Sequence, residues 1–71
     1  MDIVYSFHAK KRLIKRKISE KDVAEIIYFP DYTVKRGEEI EAYKKINEKM
    51  VKVVYVKKEN YIKVITVYPL G

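Results

Sequence analysis

The chain has 71 residues, a formal net charge of +6 from 16 Lys and Arg against 10 Asp and Glu, one histidine and no cysteine. A chain of this size buries only roughly 60% of the surface its unfolded form exposes, so a single small domain over residues 1–71 is expected, with a surface groove rather than a deep cofactor cavity. Without cysteine there are no disulfides, thiolate metal sites or thiol nucleophiles, and one histidine with scattered acids (Glu38, Glu39 and Glu41 share a turn) gives no reason to expect a metal or other cofactor.

The first helix is expected from Ser6, an N-cap residue, to about Lys17. A second follows Ser19, where Asp22 stands three positions on in the manner of a capping box; Val23, Ile26 and Ile27 form its apolar stripe, and Pro30 ends it by disfavouring helix at Phe29. From Tyr32 the apolar period changes to two. "YTVKR", "IEAYKKI", "MVKVVYVK" and "YIKVITVY" read as four strands, separated by turns at Gly37, Asn47 and Asn60, with the last strand closing before Pro69. The expected fold is therefore α+β, two N-terminal helices packed on a four-stranded antiparallel meander. The sequence leaves open whether residues 2–5 add a short strand. Simple alternation puts Ile62, Val64, Thr66 and Tyr68 on one face of the last strand.

No apolar run approaches the roughly 20 residues that span a bilayer, and "MDIVYSF" gives way to charge too early for a signal peptide, so a cytoplasmic protein without a membrane partner is expected. Glutamine is absent while Lys, Glu, Ile, Val and Tyr dominate, a balance that suits a thermophile. The basic excess points to polyanionic partners, nucleic acid first.

That excess is concentrated. Six basic residues and no acidic one stand between Ser6 and Lys17, around the single histidine. On a helix His8, Arg12 and Arg16 form one slowly drifting stripe, with Lys11 and Lys15 on its flank and Ala9 and Leu13 turned to the sheet. An imidazole transfers protons near neutrality, and guanidinium groups grip phosphate in two-pronged fashion and stabilise charge developing on it. The plain alternative is a solvated helix face on a lysine-rich surface. Thr66 and Tyr68 are further candidates, hydroxyls near the chain's end that reach a groove floor, and the alternative for them is ordinary packing.

"FHAKKRLIKRKISEKDVAEIIYFPD", followed by "VITVYP", resembles a family of small prokaryotic domains of unknown function, Domain of Unknown Function 4258. Its signature is His-Ala-x-x-Arg-Met, an Arg-Gly-Ile-like helix break and a Val-Ile-Thr-Val-Tyr-like last strand. Leu13 stands at the methionine and Lys17 where glycine is common. That family is similar to the RelE, ParE and BrnT toxins. The resemblance implies a RelE-like toxin fold and picks out His8, Ala9, Arg12, Arg16, Thr66 and Tyr68. It implies a toxin-type, metal-independent endoribonuclease with His8, Arg12, Arg16, Thr66 and Tyr68 as catalytic residues and Lys10, Lys11, Lys15 and Arg36 as nucleic-acid contacts. The implied partners are RNA, including ribosome-bound mRNA, and a cognate antitoxin. Two other readings remain beside it: a non-catalytic nucleic-acid or ribosome-binding module, and a protein-interaction domain.

Overall fold

Two serines decide where the helices begin. The computed structural model describes residues 2–70. After a short strand β1 (Asp2–Tyr5), Ser6 turns extended and its hydroxyl accepts a hydrogen bond from the Ala9 N–H at 3.1 Å, starting α1 (Phe7–Arg16). Ser19 does the same for α2 (Glu20–Tyr28): the Asp22 N–H donates to its hydroxyl at 3.0 Å, and the Asp22 carboxylate accepts from the Ser19 N–H at 3.2 Å. Phe29, held out of helical geometry before Pro30, ends α2.

The end of α1 is less comfortable. Lys17 adopts a left-handed conformation (φ 57°, ψ 42°), and the N–H groups of Lys17 and Ile18 donate back to Ile14 and Leu13 at 3.3 and 3.0 Å. This is a Schellman ending built on a residue with a Cβ, which disfavours that backbone.

β2 (Tyr32–Arg36), β3 (Glu39–Ile46), β4 (Lys49–Lys57) and β5 (Tyr61–Leu70) follow. Gly37, at φ 61°, opens the two-residue turn between β2 and β3, and Asn47 and Glu48, at φ 49° and 68°, form the next one. The expected four-stranded antiparallel sheet is overturned. The sheet has five strands in the order β1-β5-β4-β3-β2 and is mixed, because β1 pairs parallel to β5, Asp2 opposite Tyr61 through Tyr5 opposite Val64. Four residues are too few to declare a period of two, and their partner lies at the other end of the chain.

A second correction concerns β5. Val54 pairs with Thr66 but Tyr55 pairs with Val64, so Ile65 is an extra residue in the ladder. This bulge reverses the alternation: Ile62, Val64 and Val67 enter the core, whereas Thr66 and Tyr68 point to the other face. The four residues expected on one face are thus split two and two. Nor does the strand end before Pro69, which pairs with Val51. Pro69 is tolerated because β1 reaches no further than Val64, leaving the outer flank of β5 without a strand there.

Both helices pack on one face of the sheet, α1 along β5 and β1, α2 along β3 and β4. Ala9 and Leu13 with Val23, Ile26 and Ile27 are buried against Ala42, Val51, Val53, Tyr55, Ile62, Val64 and Val67. Helix stripe and strand pattern agree here. Among the described residues the opposite face of the sheet carries no helix.

Ser6 also donates its hydroxyl to the Ile65 carbonyl at 2.8 Å, and its N–H donates to the Val64 carbonyl at 3.0 Å. Ser6→Ala is expected to cost about 2 kcal/mol, a cap plus a tertiary hydrogen bond. In thermal unfolding this lowers the melting temperature by roughly 10 °C for a domain of this size. Lys17→Gly is expected to move it the opposite way by a few degrees, since about 1 kcal/mol of left-handed backbone cost is relieved.

Candidate functional site

Because the bulge turns Tyr68 outward, helix α1 and the uncovered sheet face meet along the flank of β5. Ser6 is tied to Ile65, the Arg12 guanidinium lies 5.5 Å from the centre of the Tyr68 ring, and Arg16 and Lys17 share a small hollow with Pro69. Helix and strand thus run side by side, and Arg12 touches a residue of the open face. That contact joins two parts of the chain separated by the whole meander.

His8, Arg12 and Arg16 line one open groove of about 440 Å³ together with Lys11, Ile14 and Lys15. The His8 imidazole is exposed and meets the Phe7 ring edge-on, 6.1 Å between centroids. Lys11 lies over the same Phe7 ring at 5.4 Å. Among the described residues, none of His8, Lys11, Arg12, Lys15 and Arg16 has an acidic partner. Lys10 and Arg36 differ. Lys10 pairs with Glu20 at 2.8 Å and Arg36 with Glu41 at 3.2 Å, so these two nucleic-acid candidates are already engaged. Thr66 is half-buried on the same face as Tyr68.

The open face carries residues that sequence reasoning missed. Tyr32 pairs with Tyr43, Tyr43 with Lys52, and Lys52 with Tyr68, so four side chains form one row across four strands. The Tyr32 and Tyr43 rings are stacked, 4.5 Å apart and 9° from parallel. The Lys52 ammonium stands 4.9 Å from the Tyr68 ring centre and 5.8 Å from that of Tyr43. Arg12 and Lys52 therefore share the π-system of Tyr68, a favourable use of its negative face. The two-residue turns at Gly37 and Asn47 fix which residues of β2, β3 and β4 face one another, whereas the Tyr68 link needs the bulge.

Glu41 sits beside the row with its side chain only 12% exposed, and Lys52 is 15% exposed. Desolvation is the largest single influence on Glu41 and opposes its ionisation. Hydrogen bonds from Arg36 and Tyr43, with the charges of Lys52 and Arg36, together outweigh it and hold the carboxyl below its ordinary range. Hydrogen bonding with Tyr68, above all, holds the Lys52 ammonium above its ordinary range. Desolvation, then the bond to Glu41, raises the Tyr43 phenol. At neutral pH the row is thus a set of neutral rings with a fixed cation and a compensated carboxylate. Among the described residues no three histidine, aspartate or glutamate side chains converge as metal ligands, and no helix is long and apolar enough to cross a membrane.

Fold and site together define a small basic α+β domain whose unpaired cations gather on one helix beside an aromatic sheet face. The chain belongs to the family described as Domain of unknown function (DUF4258), which matches residues 5–69. No curated protein and no solved structure matches it.

A carboxyl with a depressed native pKa stabilises the fold above its unfolded value, and that contribution is lost as pH falls through the native value. Urea midpoints measured downward from about pH 6, past the unperturbed glutamate value of about 4.3, are expected to fall less steeply for Glu41→Gln than for the parent chain. Parallel acid limbs would show that Glu41 is not held ionised by its neighbours.

Proposed function

We propose that the protein is a metal-independent endoribonuclease of toxin type, related to the RelE, ParE and BrnT toxins. The observation that carries this reading is the unpaired set His8, Arg12, Lys15 and Arg16 lining one groove, with Arg12 resting on Tyr68. Cations without acidic partners are available to phosphate; cations already in ion pairs are not. In the proposed reaction the ribose 2′-oxygen attacks the adjacent phosphorus as His8 takes its proton. Arg12 and Arg16 stabilise the charge that develops on the phosphoryl oxygens. The P–O5′ bond breaks, leaving a 2′,3′-cyclic phosphate, and the 5′-oxygen takes a proton from the hydroxyl of Tyr68, beside whose ring the Lys52 ammonium stands. Thr66, on the same face, positions the phosphate. Lys11 and Lys15 hold flanking phosphates, and Lys10 and Arg36 join them only by exchanging a carboxylate for a phosphate. The proposed partners are RNA, ribosome-bound mRNA included, and an antitoxin whose acidic, amphipathic segment covers α1. Phe7 and Ile14, 74% and 80% exposed among the cations, suit such a segment.

One observation favours a second reading, a nucleic-acid or ribosome-binding module without catalysis. Among the described residues nothing hydrogen-bonds to the His8 imidazole, so its tautomer is not fixed as it is for an oriented general base.

Purified protein incubated with mixed RNA in the presence of a chelator, with and without ribosomes, separates the two. Cleavage is expected for the parent chain. His8→Ala should abolish it at an unchanged melting temperature, because an exposed imidazole adds few core contacts. Arg12→Lys keeps the charge but loses the fork, and is expected to lower the rate at least about tenfold. An active, normally folded His8→Ala protein ends this mechanism; binding without products favours the second reading. RNA affinity should fall steeply with salt, and Lys11→Glu with Lys15→Glu should weaken it and flatten the salt dependence.

A further inference from the structure

A sheet face left to solvent is ordinarily lined by separate polar side chains. Here the uncovered face carries Tyr32, Tyr43, Lys52 and Tyr68 in direct register, continued past β5 by Arg12. The row runs across the strands and spans roughly 14 Å, three inter-strand steps of about 4.8 Å. Its outer end lies on β2, the edge of the sheet, where Tyr32 is 51% exposed while stacked on Tyr43. A stacked pair of rings at an edge offers a flat apolar surface to whatever approaches from solvent.

We infer that this row is a base-stacking track for a single-stranded polynucleotide, with Tyr32 and Tyr43 as the stacking subsite farthest from the His8 groove. The inference deepens the proposed function and rests on its reading of this region as an RNA site, though not on cleavage. Base stacking on aromatic side chains tolerates any sequence, because every base has a π-face. Backbone phosphates need cations at intervals, and Arg12 at the inner end of the row, with the unpaired cations of α1 beside it, supplies them where the strand leaves the rings. Glu41, the carboxylate within this array, is compensated by Arg36 and Lys52 and so does not repel the strand. The length suits about four nucleotides at the roughly 3.4 Å spacing of a stacked strand, and fewer when stretched. A second copy of the chain is the poorer occupant, since two molecules of net charge +6 repel each other.

The test is fluorescence anisotropy of the full chain with a labelled 12-nucleotide RNA carrying 2′-O-methyl groups, which cannot be cleaved by the 2′-oxygen, and with an abasic oligomer of the same length. Tyr32→Leu is expected to weaken RNA binding about tenfold, within the range for losing one stacked base, and to leave the abasic oligomer's affinity and the salt dependence unchanged. The inference is overturned if folded Tyr32→Leu binds RNA like the parent, if it loses abasic and RNA binding equally, or if the parent does not bind the methylated RNA. It also fails if sedimentation shows a dimer that Tyr32→Leu dissociates. Failure of the nuclease reading looks different: the parent binds the methylated RNA with the Tyr32 dependence intact but does not cut unmodified RNA.

Discussion

The Ser6 hydroxyl is the point on which the geometry of the site depends. It accepts from the Ala9 N–H to start α1 and donates to the carbonyl of Ile65, the extra residue of the bulge in β5. One side chain thus fixes where the basic helix begins and where the last strand changes face. The buried Ala9 and Leu13 then hold the helix against β5, which keeps Arg12 beside Tyr68. The local rule for capping and the tertiary placement of the helix are satisfied by the same oxygen, the kind of agreement between levels that marks a well-specified fold.

The charges fall into two populations. Lys10, Arg36, Lys44 and Lys52 each stand beside a carboxylate, and they brace α1 to α2, β2 to β3, and β3 to β4. The exposed Lys10–Glu20 pair contributes little stability by itself, yet all four pairings remove those cations from competition for an outside anion. The remaining cations of α1 keep their full attraction for polyanions. A chain of modest net charge can therefore present a strong local field, because its neutralisation is uneven. The aromatic row on the adjoining face has the opposite character, largely neutral rings in which Lys52 and Glu41 cancel.

Much of the fold was legible because local signals were unambiguous. Ser6, Ser19 and Pro30 bracket the helices, and Gly37 and Asn47 mark the turns, although each turn is one residue shorter than the sequence reading made it. Ala9, Leu13, Val23, Ile26 and Ile27 are the helix residues that the structure buries, as their spacing implied. What could not be read depended on distant partners. The bulge at Ile65 has no signature in "VITVY"; its carbonyl accepts from the distant Ser6 hydroxyl, and it moved Thr66 and Tyr68 away from Ile62 and Val64. β1 is a strand only because β5 offers it an edge. Among the candidate site residues, the His8, Arg12 and Arg16 stripe followed from helical spacing alone. The engagement of Lys10 and Arg36 depended on acids ten and five positions away that only the folded arrangement brings close.

The parallel pairing of β1 with β5 has a consequence for how the molecule forms. Its contacts join residues 59 positions apart, so nearly the entire chain must be ordered before they are made. The β2–β3 and β3–β4 hairpins close loops of two residues, for which the entropic cost is small, and closing a longer loop costs more. Contacts of this separation slow folding relative to local ones. The contact of Arg12 with Tyr68 is therefore a late product of folding: the meander can assemble early, whereas the alignment of α1 with the last strand waits for the emergence of residues 61–68. A nascent chain still lacking those residues carries the basic helix but not the surface that gives Arg12 its partner.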